Sequence, residues 1–176
     1  MGKFAKKGTF SEAVCEKYIE PSDLEKEVAK LRAQGKSIAT LNGSFDLMHA
    51  GHLEMIYQAS LQADILIVAL NTDASIQAYK SPLRPIVPLK YRLQMMAACA
   101  MVDYVTWFDE TNPIELLKKI KPDVHVNGAE YGKDCIEAPT VNSFGGKVHI
   151  VNLVEGLSTT ALLKKIAKTS SKWLTK

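Results

Sequence analysis

The sequence predicts an α/β fold, a Rossmann-like three-layer sandwich around a five-stranded parallel sheet. Three observations carry that expectation. Short apolar runs alternate along the chain with segments of helical periodicity. The run Ile65-Leu66-Ile67-Val68-Ala69-Leu70 is continuous and apolar between Asp64 and Asn71, as suits a parallel strand covered on both faces. Polar, glycine-bearing turns follow the strand candidates, at the sheet end where such folds bind ligands.

The elements follow in order. Leu24, Val28 and Leu31 fall at helical spacing over 22–34, and Gly35 supplies a stop. Ser37 to Leu41 is a strand candidate, broken by Asn42-Gly43-Ser44. A helix from about Gly51 carries Leu53, Ile56, Tyr57 and Leu61 on one face. After the strand 65–70, Asp73 to Tyr79 reads as a short helix, and Lys80 to Pro88, with three prolines, as loop. Leu89 to Met101 is helical, and Tyr104 to Phe108 a strand. Asn112-Pro113 offers a cap and a proline for a helix ending near Ile120. Strands follow at Asp123 to Asn127 and Lys147 to Asn152, and Ser158 caps a last helix. No repeat or linker interrupts the 176 residues, which are expected to form one domain with an N-terminal extension over 1–21 and a basic tail over 168–176.

Composition narrows the class. With 47% apolar and 23% charged residues the chain is globular, and its net charge is only +3. Lysines gather at the ends, in Lys3, Lys6 and Lys7 and in Lys164, Lys165, Lys168, Lys172 and Lys176; they read as solvated surface rather than a nucleic-acid site. No apolar run approaches the roughly 20 residues of a membrane span, and no signal core follows the first lysines. Cys15, Cys99 and Cys135 lack metal or redox spacing and suit reduced thiols in a cytoplasm. Cys99, within an apolar run, is expected in the core.

The polar residues fall where a phosphate site would lie. Gly43 and Gly51 let the backbone approach a ligand, and the helix opening near Gly51 presents free N–H groups to an anion. His49 and His52, three apart at that mouth, can both face one phosphate. A zinc pair completed by Asp46 is the competing reading, and it needs a third ligand. Asn71-Thr72-Asp73 follows the second strand; Asp73 is either an N-cap or a substrate contact. Lys80 and Arg84 place two cations on a proline-stiffened loop, and Arg92 stands near a helix start, where a cation asks for an anion. Lys90 there reads as solvated. Gly128 and Glu130 follow the fourth strand, as an ordinary turn or as a nucleoside contact through the backbone and a ribose hydroxyl. Ser158-Thr159-Thr160, after Gly156, makes a second anion mouth.

Two runs carry a resemblance. Gly43-Ser44-Phe45-Asp46-Leu47-Met48-His49-Ala50-Gly51-His52 and Gly156-Leu157-Ser158-Thr159-Thr160 together resemble the signatures of the cytidylyltransferase-like nucleotidyltransferases, HIGH-type enzymes of this fold. Within the family, residues 22–167 look most like the adenylyltransferases of ADP-heptose synthesis. That likeness includes Asn42-Gly43, Asn71-Thr72-Asp73-Ala74-Ser75, Arg84-Pro85-Ile86-Val87-Pro88-Leu89 with Arg92, and Met101-Val102-Asp103. Leu153 stands where glycerol 3-phosphate cytidylyltransferases carry arginine. Glu130 stands where the heptose enzymes usually have Asp, and Asn127 where lysine is common.

The resemblance implies ATP and a sugar 1-phosphate as substrates, Mg²⁺ as cofactor bound through the triphosphate rather than by the chain, and a homodimer, with no nucleic-acid or membrane partner. It implies His49, His52 and Lys80 in catalysis. Asn42, Gly43, Ser44, Phe45, Gly51, Arg92, Gly128, Glu130, Ser158, Thr159 and Thr160 are expected at the nucleotide, and Asp46, Asn71, Asp73 and Arg84 at the second substrate. A cytidylyltransferase for a small phosphorylated acceptor, and a nucleotide-binding regulator without catalysis, are the alternatives.

Overall fold

A computed structural model describes residues 8–132, 134–152, 154 and 156–173, with side chains through residue 170. The lysines at 3, 6, 7 and 176, the side chain of Lys172, and Leu153 and Glu155 lie outside the described residues.

The sheet comprises β1 (Ile38–Gly43), β2 (Ile65–Asn71), β3 (Tyr104–Phe108), β4 (Val124–Gly128) and β5 (Lys147–Val151), all parallel, in the order β3-β2-β1-β4-β5. The chain winds outward from β1 to β3, then returns to place β4 on the other side of β1. The winding therefore reverses between β1 and β4, and a crevice opens beyond their carboxyl ends.

Alternate residues of the strands feed two cores. Ala39, Leu41, Leu66, Val68 and Leu70 pack with Ile56 and Ala59 of α3 (Ala50–Ser60) and Leu93, Met96 and Ala97 of α5 (Leu89–Ala98). Ile38, Ile67 and Ala69 pack with Leu24, Val28 and Leu31 of α2 (Leu24–Ala33) and Leu116 and Ile120 of α6 (Ile114–Ile120). This two-sided burial explains why β2 reads as an unbroken apolar run.

The remaining helices are α1 (Phe10–Cys15), α4 (Asp73–Tyr79), α7 (Ala138–Ser143) and α8 (Thr159–Trp173). Neither α1 nor α7 stands out in the sequence, because six residues are too few to show a period. α1 is a capping-box helix, Thr9 and Glu12 bonding each other's backbone, and it buries Val14. It leads into Tyr18, which bridges in parallel to Val105 at the outer edge of β3, where Ile19 N–H donates to the Val105 carbonyl. The ammonium of Lys17 caps the turn after α5, donating to the carbonyls of Cys99 and Val102.

Some boundaries differ from the sequence reading. α5 stops at Ala98, because Cys99 turns extended at ψ 125°; Cys99 is half-buried rather than a core residue. α6 starts one residue later than expected: Pro113 takes the cap position, and the Asn112 side chain accepts from Ile114 N–H. Among the described residues no helix is long and apolar enough to cross a membrane.

Candidate active site

A cleft of 620 Å³ opens over the carboxyl ends of the strands. Its floor begins where β1 ends. A Cβ at Gly43 would crowd the Phe45 ring at 3.3 Å. Phe45 itself takes a left-handed backbone, φ 43°, which turns the chain sharply out of the strand and buries its ring beneath His52 at 5.4 Å between centroids.

His49 and His52 then form one unit. His49 is the N-cap of α3, and its backbone N–H donates to Nδ1 of His52 at 3.3 Å. The two rings stack with centroids 3.9 Å apart. Because His52 Nδ1 accepts, the proton of the neutral ring belongs on Nε2. Burial, with His49 and Lys80 nearby, pushes the His52 imidazole down to about 4, and burial lowers His49 as well. Both are neutral N–H donors at pH 7. Gly51 keeps the pair in place: a Cβ there would stand 3.0 Å from the His49 ring.

Two buried polar atoms in the cleft wall lack a protein partner, Asn42 Oδ1 and His49 Nδ1. Buried groups are normally satisfied, so unpaired ones in a cleft mark where a ligand's polar atoms belong. Across the cleft stand Ser158, Thr159 and Thr160. Ser158 Oγ accepts from Ala161 N–H as the cap of α8, and the helix mouth faces the same space.

Lys80 reaches the end of β1, its ammonium donating to Ser44 Oγ at 2.9 Å. Desolvation and the Arg84 guanidinium push that ammonium below the usual lysine range, against the pull of Asp46. Asn71 lines the cleft, with its Nδ2 held by Ser75 Oγ at 3.0 Å, and Glu130 sits exposed at the rim with its carboxylate folded over Gly128.

Five expected site residues do not line the cleft, and each has a structural reason. Arg92 is fully buried, its donors occupied by the carbonyls of Val87, Ser44 and Asn71 and by the Asp73 carboxylate. Four of its five N–H donors are taken by these protein groups. Asp73 accepts from Leu89 N–H and from Arg92; the cap of α4 is Thr72, whose hydroxyl accepts from Ser75 N–H. Asp46 is buried, accepting from Ile86 and Val87 N–H and from Arg84 Nε at 2.6 Å. Burial pushes its carboxyl upward, but those N–H donors and the guanidinium outweigh it and hold the group below the usual range. Asp46 and Arg84 thus pin the loop after α4. Gly128 is a buried strand end. Lys90 is exposed, as expected.

Tyr79, Asn127, Tyr131, Ile136 and Glu137 line the cleft and were not expected there. Glu137 is 5% exposed and accepts from Asn127 Nδ2 at 3.2 Å. Behind it on β4, His125 is wholly buried, with Nδ1 on Thr40 Oγ1 at 2.8 Å and Nε2 unpartnered. Burial lowers the His125 imidazole, and the Glu137 charge pulls the other way. Only the spacing of His125 and Asn127 on one strand face hints at this cluster; α7, which brings Glu137, has no periodic signal.

The chain belongs to the cytidylyltransferase-like family, whose model matches residues 40–172. It is 46% identical over 136 residues to the bifunctional protein HldE of Ectopseudomonas mendocina, covering 77% of this chain and 29% of that protein. To HldE of Hahella chejuensis it is 41% identical over 138 residues. The chain spans under a third of the length of these relatives. Among solved structures, a lipopolysaccharide core biosynthesis protein of Thermoplasma volcanium matches with a TM-score of 0.55 at 25% identity, over 68% of this chain and 98% of that one. A pantoate-β-alanine ligase of Francisella tularensis shares the fold, with a TM-score of 0.59 at 15% identity over 84% of this chain and 72% of its own. Residues 40–172 are thus a domain of the nucleotidyltransferase type.

Proposed function

We propose that the protein transfers AMP from ATP to a heptose 1-phosphate, giving ADP-heptose and pyrophosphate, a step that supplies lipopolysaccharide synthesis. The observation that carries the reaction type is the neutral, stacked His49–His52 pair at the mouth of α3, beside unpartnered polar atoms and opposite the Ser158 mouth of α8. The sugar rests on the likeness to the HldE proteins and to the adenylyltransferases of ADP-heptose synthesis.

A phosphate oxygen of the acceptor attacks the α-phosphorus. The bond between the α-phosphorus and the α,β-bridging oxygen breaks, and pyrophosphate leaves with the electron pair. The acceptor phosphate is already ionised, so no general base is required. His52 Nε2–H and His49 donate to the oxygens that gain charge, and they do so without reorganising, since neither ring needs to change protonation. Lys80, steadied by Ser44, stabilises the leaving pyrophosphate, and the N–H groups at Ser158–Thr160 hold the triphosphate.

Mg²⁺ enters as the complex with ATP. In this reading the ion would be held by the triphosphate oxygens rather than by protein side chains. When bound it neutralises phosphate charge. The same reading carries a homodimer and a cytoplasmic location.

The test is pyrophosphate release with ATP and with CTP, each paired with heptose 1-phosphate and glycerol 3-phosphate. Turnover is expected for ATP with heptose 1-phosphate. Preference for CTP overturns the adenylyl assignment, and nucleotide binding without release from any pair points to a regulator instead.

A further inference from the structure

Glu137 stands apart from the phosphate machinery. It occupies the N-cap position of α7, yet its side chain makes no capping bond. It forms no ion pair among the described residues, and its hydrogen bond there is the one Asn127 Nδ2 donates to Oε2. Neither ordinary role of a carboxylate at a helix start is in use. A buried carboxylate that lines the cleft therefore has one hydrogen bond among the described residues, at Oε2, and acceptor capacity to spare.

Its surroundings narrow what can meet it. Tyr131, close enough to feel the Glu137 charge, and Ile136, next to it in the chain, line the same cleft. Apolar and aromatic side chains beside the buried Asn127–Glu137 pair suit the flat face and polar edge of a nucleobase. Ribose hydroxyls are better served at the rim, where Glu130 is exposed. A carboxylate in such a slot accepts from N–H and opposes a carbonyl oxygen. Adenine and cytosine present an exocyclic amine on the pairing edge, whereas hypoxanthine, guanine and uracil present a carbonyl at the corresponding position.

We propose that Glu137 selects the base of the nucleotide, accepting a hydrogen bond from the exocyclic amine and excluding bases that carry a carbonyl there. This rests on the nucleotidyltransfer reading above and adds a residue that determines specificity. Asn127 positions the carboxylate by holding its other oxygen.

The experiment compares ATP, purine riboside triphosphate, which lacks the amine, and inosine triphosphate, which replaces it with a carbonyl. Each is assayed for pyrophosphate release with heptose 1-phosphate and for binding by calorimetry, on the wild-type chain and on Glu137→Gln. Wild type is expected to prefer ATP to inosine triphosphate by on the order of 10² or more in kcat/KM, since rejection comes from an unpaired or opposed buried group. Purine riboside triphosphate should fall between them. In Glu137→Gln the amide can turn its donor to the carbonyl, and the preference should shrink to within about tenfold. A merely structural Glu137 would lower all three nucleotides together. Equal use of ATP and inosine triphosphate by wild type, or an unchanged ratio in the variant, overturns the proposal. If the variant does not fold, the wild-type series decides alone. If no nucleotide releases pyrophosphate, the reading above has failed, and the calorimetric ratio still decides this one.

Discussion

Arg92 Nη1 donates to the carbonyl oxygen of Asn71 at 2.9 Å, so a side chain of α5 holds the last residue of β2. The same nitrogen reaches the Ser44 carbonyl at 2.6 Å, tying together the exits of β1 and β2. Arg92 thus acts as a strut beneath the site. Arg92→Ala strands three carbonyls and the Asp73 carboxylate. It is expected to cost about 1–3 kcal/mol, the penalty for buried acceptors left unpaired, since Asp73, 40% exposed, can turn to water. Arg92→Lys should recover little of it, since an ammonium cannot reproduce the planar fork. Urea denaturation of the three proteins checks both.

Gly51 separates stability from activity. In a helix, alanine is favoured over glycine by roughly 0.5–1 kcal/mol. Here its methyl would press on the His49 ring at 3.0 Å. Gly51→Ala is expected to melt within about 1 kcal/mol of wild type. It should nonetheless lose at least about tenfold in kcat, a barrier change of 1.4 kcal/mol. A variant with full turnover would show that His49 can move without consequence. His52→Ala, which removes a donor outright, should lose on the order of 10²–10³.

The histidines set a pH dependence with a definite sign. His52 falls from an ordinary 6.5 to about 4 on folding, so between those values the unfolded chain binds a proton that the folded chain refuses. Stability is therefore complete above 6.5 and declines as pH drops toward 4. His49 and His125, also lowered by burial, add in the same direction. The urea midpoint should fall between pH 7 and pH 5, and fall less in His52→Gln. Carboxylates held low, such as Asp46, act at lower pH and do not confuse the window.

Asp46 governs the loop after α4. Asp46→Asn removes the charge facing Arg84 and turns an acceptor into a donor against the N–H groups of Ile86 and Val87. About 1–3 kcal/mol of stability should be lost. Because Lys80 sits at the start of that loop, KM for ATP should rise as well. Limited proteolysis, faster within 80–88 in the variant, reads the loosening directly.

Much of this was legible beforehand. β2 announced itself through two-sided burial, and the Asn42–His52 turn through glycines and histidines placed between strand and helix. The cations were not. Arg92 and Lys80 look alike in sequence, as basic residues near a loop that ends at a helix. Only the fold shows that Arg92 points inward to carbonyls while Lys80 reaches Ser44 in the cleft. Asp46 and Asp73 meet the same limit: a carboxylate that pins backbone has no sequence pattern distinguishing it from one that meets substrate. Glu137 was hidden because α7 is too short to show a period.

The bridge from Tyr18 to Val105 has a consequence for handling the protein. It covers the open row of β3, which would otherwise invite a strand from another molecule. The family match begins only at residue 40, so a chain trimmed to that span would bare this flank and lose α1, α2 and the first two residues of β1 from the interior. Such a fragment is expected to self-associate through its naked edge, a fault that light scattering would register before any assay did. The opening residues behave as a selvedge, stopping the weave from fraying into its neighbours.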